Sequence, residues 1–161
     1  NGEVFDYDAL SGYVPEKDKY NIDVILDTAN WELNTCPDYR ERFFRPPVPE
    51  SSGEGYAQNW VAYGNDYVAA KELTVEPGAT VTIRDNAAYG CVVVEGYGTF
   101  GKFRCESPTM IRFGQLTADE FYVSHAASSA GVTVSNQSAY EPLVILKHFG
   151  PDCGMPAAKA K

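Results

Sequence analysis

The sequence predicts an all-β fold, a small jelly roll or closed barrel, carrying an irregular N-terminal arm. Three observations lead there. From Trp60 onward, apolar runs only a few residues long alternate with turn residues, the pattern of a sandwich or barrel rather than of alternating strands and helices. No window in that half has a convincing helical period. The first sixty residues differ in texture, being rich in Asp, Tyr, Pro and Arg, with "NIDVILDTANW" as their one sustained apolar segment.

Taken in order, residues 1–60 form the arm. "CPDYRERFF" is compatible with a helical turn or a short helix. Pro46, Pro47 and Pro49 exclude a helix from "FFRPPVPESSGEG", and Arg45 before them is held extended. That connector is expected to drape over the domain or over a neighbouring subunit. Residues 61–149 form the barrel, with the runs "YVAAKELTV", "TVTI", "CVVVEG", "GTFGKFRC", "TMIRFG", "EFYVSH", "GVTVSNQ" and "PLVILKHF". Turns are expected at Pro77 and Gly78, Gly96 to Gly98, Ser107 and Pro108, Ser128 to Gly131, and Glu141 and Pro142. Residues 150–161 read as a frayed or added tail, and the start at Asn1 is compatible with a processed fragment.

A chain of 161 residues fits one hydrophobic core. Thirteen Lys and Arg against 22 Asp and Glu give a formal net charge of -9, which argues against nucleic acid and anionic membrane as partners, because phosphate binding needs clustered cations. No apolar run approaches the roughly 18 residues of a spanning helix, and no secretion signal opens the chain; a soluble, cytoplasmic protein is the expectation. Cys36, Cys91, Cys105 and Cys153 form no CxxC pair, so they read as buried thiols. The alternative is a Cys91–Cys105 disulfide, if a hairpin turns near Gly98 and the chain is exported.

Two stretches resemble the sequence blocks of the cupin superfamily. Pro77 and Gly78 followed by Glu95, Gly96, Tyr97 and Gly98 are similar to the first block, and Asn136, Glu141, Pro142 and "LVILKHF" to the end of the second. The resemblance covers roughly residues 61–149 and implies a double-stranded β-helix, the cupin-like jelly-roll barrel. It also implies where metal ligands would stand. Counted from Gly78, the usual His pair falls on Arg84 and Asn86; counted from Gly96, it falls on Ile83 and Asp85, with the usual Glu on Tyr89. The two registers differ by one residue and so by the face of the strand. Neither contains a histidine, and Val132 stands at the second block's ligand position, so no metal and no cofactor are expected.

Metal-free cupins include sugar epimerases and isomerases, whose acid/base chemistry needs a group tuned by burial. The candidates for such catalysis are His148, Tyr89 and Asp85. Alternation in the last strand puts Val144, Leu146 and His148 on one face and Ile145, Lys147 and Phe149 on the other; His148 enters the cavity if the first face points inward. Arg84, Asn86, Lys71, Glu72 and His125 are candidate ligand-binding groups, cations being suited to a sugar phosphate or carboxylate. Lys71 and Glu72 occupy opposite faces of one strand. Trp60, Tyr63 and Tyr67 suit sugar stacking or ordinary packing, and "YRERFFRPPVP" suits a homodimer contact. The leading expectation is a domain binding a small polar ligand, sugar-like, with isomerase or epimerase activity left open and an open mouth lined by Tyr89, His148 and Asp85. The alternatives are a non-catalytic structural or dimerising barrel of a larger polypeptide, and a metal-dependent oxygenase using His125 and His148.

Overall fold

The computed structural model describes residues 11–109 and 113–157. Two units divide between Phe44 and Arg45, so the boundary expected at residue 60 moves toward the N-terminus. The first unit holds a 3-10 turn, Glu16–Asp18, and three short helices, α1 (Ile22–Asp27), α2 (Trp31–Asn34) and α3 (Tyr39–Phe43). Asn21 caps α1 by accepting from the Asp23 N–H at 3.2 Å, and Asn30 caps α2 by accepting from Leu33 N–H at 3.1 Å, each supplying a partner to an otherwise unpaired donor. None of these helices buries a residue, and helices this short gain little stability from backbone bonds alone.

The second unit is all β. Its strands are β1 (Val48–Gly53), β2 (Tyr56–Ala62), β3 (Ala69–Val75), β4 (Thr80–Ile83), β5 (Tyr89–Phe100), β6 (Phe103–Ser107), β7 (Glu120–Val123), β8 (Val132–Asn136) and β9 (Leu143–Phe149). They lie in the order β1-β2-β3-β9-β5-β8-β4, with β6 and β7 also paired to β5 and every pair antiparallel. All of β1 and most of β2 fall in what the sequence gives to the arm. Pro49 hid β1, but an edge strand tolerates a missing N–H, and the register shifts between Pro49 and Ser51.

Strand β5 also departs from expectation. Gly96 to Gly98 is no turn; the strand runs through it, pairing with β9 and β7 before Gly96 and with β6 and β8 after it. The reason is space. Gly96 has a φ of 82°, and a Cβ there would collide with the Pro142 carbonyl oxygen, while one on Gly98 would collide with that of Ser135. The glycines thus let one long strand bend from one half of the sheet into the other. The hairpin turns instead at Gly101 and Lys102, so Cys105 faces Gly98, and Cys91 and Cys105 are free thiols rather than a disulfide.

Residues expected as a loop after "EFYVSH" form a helix, α4 (His125–Ala130). Ser124 caps it by accepting from the Ala127 N–H at 3.4 Å, and Gly131, at a φ of 106°, ends it. The C-terminal segment is not wholly frayed, because Cys153 is buried and Met155 packs on the core. Residues 110–112 of the run "TMIRFG" lie outside the described residues. Among the described residues no helix is long and apolar enough to cross a membrane.

Candidate functional site

Strand alternation decides what enters the barrel. On β3 the inward face carries Ala69, Lys71, Leu73 and Val75; on β9 it carries Leu143, Ile145, Lys147 and Phe149; on β5 it begins with Tyr89, Cys91 and Val93. Register then aligns these residues sideways. Trp60 stands opposite Lys71, Lys71 opposite Lys147, and Lys147 opposite Cys91. Two ammonium groups on directly opposed positions would repel. Asp85, two residues beyond β4, resolves the conflict by giving one carboxylate oxygen to each.

Lys71 Nζ donates to Asp85 Oδ1 at 2.7 Å, and Lys147 Nζ donates to Oδ2 at 2.7 Å. All three side chains are almost wholly shielded from solvent. Lys71 also donates to Glu50, Lys147 donates to the Gln58 side-chain carbonyl, and the Gln58 amide donates back to Glu50. Two cations therefore meet two carboxylates, and the cluster is neutral. Aromatic faces complete the cage: Lys71 Nζ lies 4.4 Å from the Trp60 ring and 5.1 Å from Phe149, and Lys147 Nζ lies 5.2 Å from Tyr89.

The electrostatics follow from burial and pairing. Burial opposes the charge on Asp85, but Lys147 and Lys71 together outweigh it, and the carboxyl is held below the ordinary carboxylate range. Burial likewise pushes Lys147 down against the attraction of Asp85. Burial raises the Tyr89 phenol, with Asp85 adding to the effect, and lifts the Cys91 thiol to about 12 and the Cys105 thiol to about 11. Neither thiol is a nucleophile at neutral pH.

Helix α4 fixes the key carboxylate. Buried Ser128 donates its hydroxyl to the Asp85 carbonyl at 3.0 Å, and the Asp85 N–H donates to the Ser128 carbonyl at 3.3 Å. Asp85 is thus clamped at its backbone by a helix and at its side chain by two lysines.

The residues singled out in the sequence separate into three places. Asp85, Tyr89 and Lys71 are inside, which selects the register counted from Gly96, and Arg84 and Asn86 point away from the core. Those two line a pocket of about 480 Å3 at the mouth with Glu50, Lys71, Asp85 and Ser129. Glu72 is on the other face of β3, and His125 is exposed in the first turn of α4. His148 is exposed on the outer face, because the inward face of β9 is the one carrying Lys147. The mouth lined by Tyr89, His148 and Asp85 is therefore not formed. Trp60 and Tyr63 are buried, and Tyr67 is exposed.

Sequence reasoning did not single out Lys147, Gln58, Glu50 or Ser128. Alternation had already placed Lys147 beside Ile145 and Phe149, and that was the available signal. Glu50 sits in a proline-rich stretch that gave none.

The ligand positions of the metal cupins do not fit a divalent ion here. Ile83, Asp85 and Tyr89 stand there without an imidazole, and two ammonium groups hold the carboxylate that a cation would need. Among the described residues no three His, Cys, Asp or Glu side chains converge as a ligand set.

The described strands form one antiparallel sheet that curls on itself, with β5 bending at Gly96. No protein-family model and no curated protein matches the sequence. Solved structures align with part of the chain. The Rhodobacter sphaeroides complex of SigE with the anti-sigma ChrR matches with a TM-score of 0.47 at 15% identity, over 70% of this chain and 53% of that one. An RmlC-like cupin from Shewanella frigidimarina matches at 0.45 and 18%, over 70% and 90%. A cupin-2 domain from Rhodospirillum rubrum matches at 0.45 and 14%, over 72% and 76%. The neighbours' activities stay with them.

Proposed function

We propose that the chain is a cupin-like binding domain that holds a small anionic ligand, of the sugar-phosphate or sugar-acid kind, at the barrel mouth without transforming it. The observation that carries this reading is Arg84. Its guanidinium makes no ion pair or hydrogen bond among the described residues, and it lines the mouth pocket beside Asn86 and Ser129. A guanidinium matches a phosphate or carboxylate through paired N–H donors, while Asn86 and Ser129 offer the neutral donors and acceptors a sugar hydroxyl needs. Lys71 and Asp85 line the same pocket, and because they already neutralise each other they add polarity without net charge.

Binding without catalysis is favoured by how the inner groups are committed. Both Asp85 oxygens accept from ammonium groups, and the Tyr89 phenol is raised by burial, so neither is poised to exchange a proton with a ligand at neutral pH.

Amide NMR titration of the full chain with neutral hexoses and with hexose phosphates tests this. Hexose phosphates are expected to shift the signals of residues 84–86 and 129 with a Kd at or below about 1 mM. Arg84→Ala is expected to weaken that binding by about 10-fold or more, the loss of a charge-assisted hydrogen bond. Shifts that are absent with every phosphate, or that survive unchanged in R84A, overturn the reading.

A further inference from the structure

The buried cluster holds an amine, a carboxyl, a base and an oxyanion partner in one place, and the mouth-pocket reading uses only its outer edge. We propose that Lys71 and Asp85 condense to an intramolecular isopeptide bond, making the cluster a self-modifying staple of the barrel.

The geometry distinguishes the two lysines. Lys71 Nζ is 2.7 Å from Asp85 Oδ1 and also touches the Glu50 carboxylate. Lys147 Nζ touches the neutral Gln58 carbonyl instead, and lies 2.7 Å from Oδ2. Lys71 therefore has the base and is the nucleophile, whereas Lys147 is set to stabilise charge on Oδ2 while Cγ is tetrahedral. Glu50 takes a proton from the Lys71 ammonium and passes it to Oδ1. The freed amine attacks Asp85 Cγ, forming the Nζ–Cγ bond. A second proton leaves Nζ through Glu50 to Oδ1, the Cγ–Oδ1 bond breaks, and one water departs through the mouth pocket that Lys71, Asp85 and Glu50 line. Two protons leave nitrogen and two arrive on oxygen, so the step needs no oxidant, no cofactor and no activating group.

Burial drives the equilibrium the same way. Holding two ions out of water is costly, and condensation replaces one buried pair by a neutral amide, leaving Lys147 balanced against Glu50. Fixed contact between the reacting groups replaces a bimolecular encounter, an advantage worth an effective concentration of about 10^5 M or more. The product also inherits the existing hydrogen bonds. The amide oxygen, formerly Oδ2, keeps Lys147; the amide N–H keeps Glu50; Gln58 still joins Glu50 to Lys147. The bond would join β3 to the segment after β4, which lie at separate positions in the sheet order.

The test is the intact mass of the full chain, purified folded and then unfolded under reducing conditions. The expected mass is that of the sequence less one water, and proteolysis is expected to release a branched peptide joining the segment of Lys71 to that of Asp85. Glu50→Gln, which keeps the hydrogen-bonding shape and removes the base, is expected to give the full mass with an unchanged far-ultraviolet circular dichroism spectrum. A wild-type chain at its full sequence mass after prolonged incubation overturns the proposal, as does a missing water that maps to a succinimide at Asp85–Asn86. A water deficit that persists in E50Q overturns the relay assigned to Glu50.

Discussion

Two layers of the barrel interior are built by the same strands and differ only in chemistry. Leu73 and Lys71 are two residues apart on β3, as are Ile145 and Lys147 on β9, and Ile145 and Lys147 are both 0% exposed. The strand period dictates burial without regard to polarity. What it does not dictate is the consequence. An apolar side chain buried here contributes about 1.5–3 kcal/mol through area removed from water, and each contribution is largely its own. The ionic layer contributes little net, since desolvation offsets attraction, yet it is intolerant of partial loss because each charge relies on another. One layer stabilises; the other specifies which residues must be present together.

Breaking the ionic layer at its centre is expected to produce the largest effect. Asp85→Ala leaves Lys71 and Lys147 opposed without the shared carboxylate, and should cost about 3–5 kcal/mol in urea unfolding. A loss under about 1 kcal/mol would mean that the lysines escape to solvent and that the layer is not closed. The same carboxylate gives the layer a pH signature wherever it is free. Its folded pKa lies below its unfolded value, so its stabilisation is present above about pH 4 and is lost as pH falls through the folded value. Chains in which Asp85 is condensed with Lys71 should lack that acid loss, which separates the two forms in one titration.

The apolar layer should yield less to the same treatment. Ile145→Ala removes a buried side chain and opens a cavity among neighbours that keep their own contacts, at a cost of about 3 kcal/mol. Combined with Leu73→Ala, which faces it across β3 and β9, the losses should depart from their sum only by the low end of the coupling expected of touching side chains, about 0.5–1 kcal/mol, whereas Lys71→Met combined with Asp85→Ala should fall short of the sum by more, because each removes part of the other's penalty. Equal coupling in both layers would erase the distinction between them.

The barrel half of the chain was legible because its signals are local. Short apolar runs between turn residues marked β3, β4, β8 and β9, and proline and glycine marked most of their ends. The misses came where a residue's meaning depended on distant neighbours. Gly96 and Gly98 carry the composition of a turn, and only the approach of Pro142 and Ser135 from other strands makes them a bend in a continuous one. Pro49 stands in a proline-rich stretch that reads as a draped connector, and β1 there is an edge strand. The site was half visible: alternation offered Lys71 or Glu72, and two counts offered Asp85 or Arg84, each choice hanging on a one-residue register. Glu50, 21 residues before Lys71 in sequence and in contact with it in space, had no local mark.

The clamp outside the ionic layer should matter less than its centre. Ser128→Ala removes the hydroxyl that the Asp85 carbonyl accepts from at 3.0 Å, while the Asp85 N–H keeps its backbone partner. The expected loss is about 1 kcal/mol. If the loss matches that of D85A, α4 rather than the lysine pair is what holds Asp85 in place.

The smallest effect should come from the residue next to the most sensitive one. His148 and Lys147 are adjacent in β9, and alternation puts the imidazole on the outer face while the amine reaches the core. His148→Ala should therefore change unfolding free energy by no more than about 0.5 kcal/mol and leave hexose-phosphate binding unaltered, since the residues around His148, among them Glu120 and Tyr122, are not those that line the mouth. Moving the same substitution by one position, to Lys147→Ala, strands an Asp85 oxygen and the Gln58 carbonyl without their shared donor and should cost several-fold more. A His148→Ala variant that loses binding or stability on the scale of K147A would reverse the register of β9, and with it the assignment of every inward residue on β3 and β5 that pairs with it.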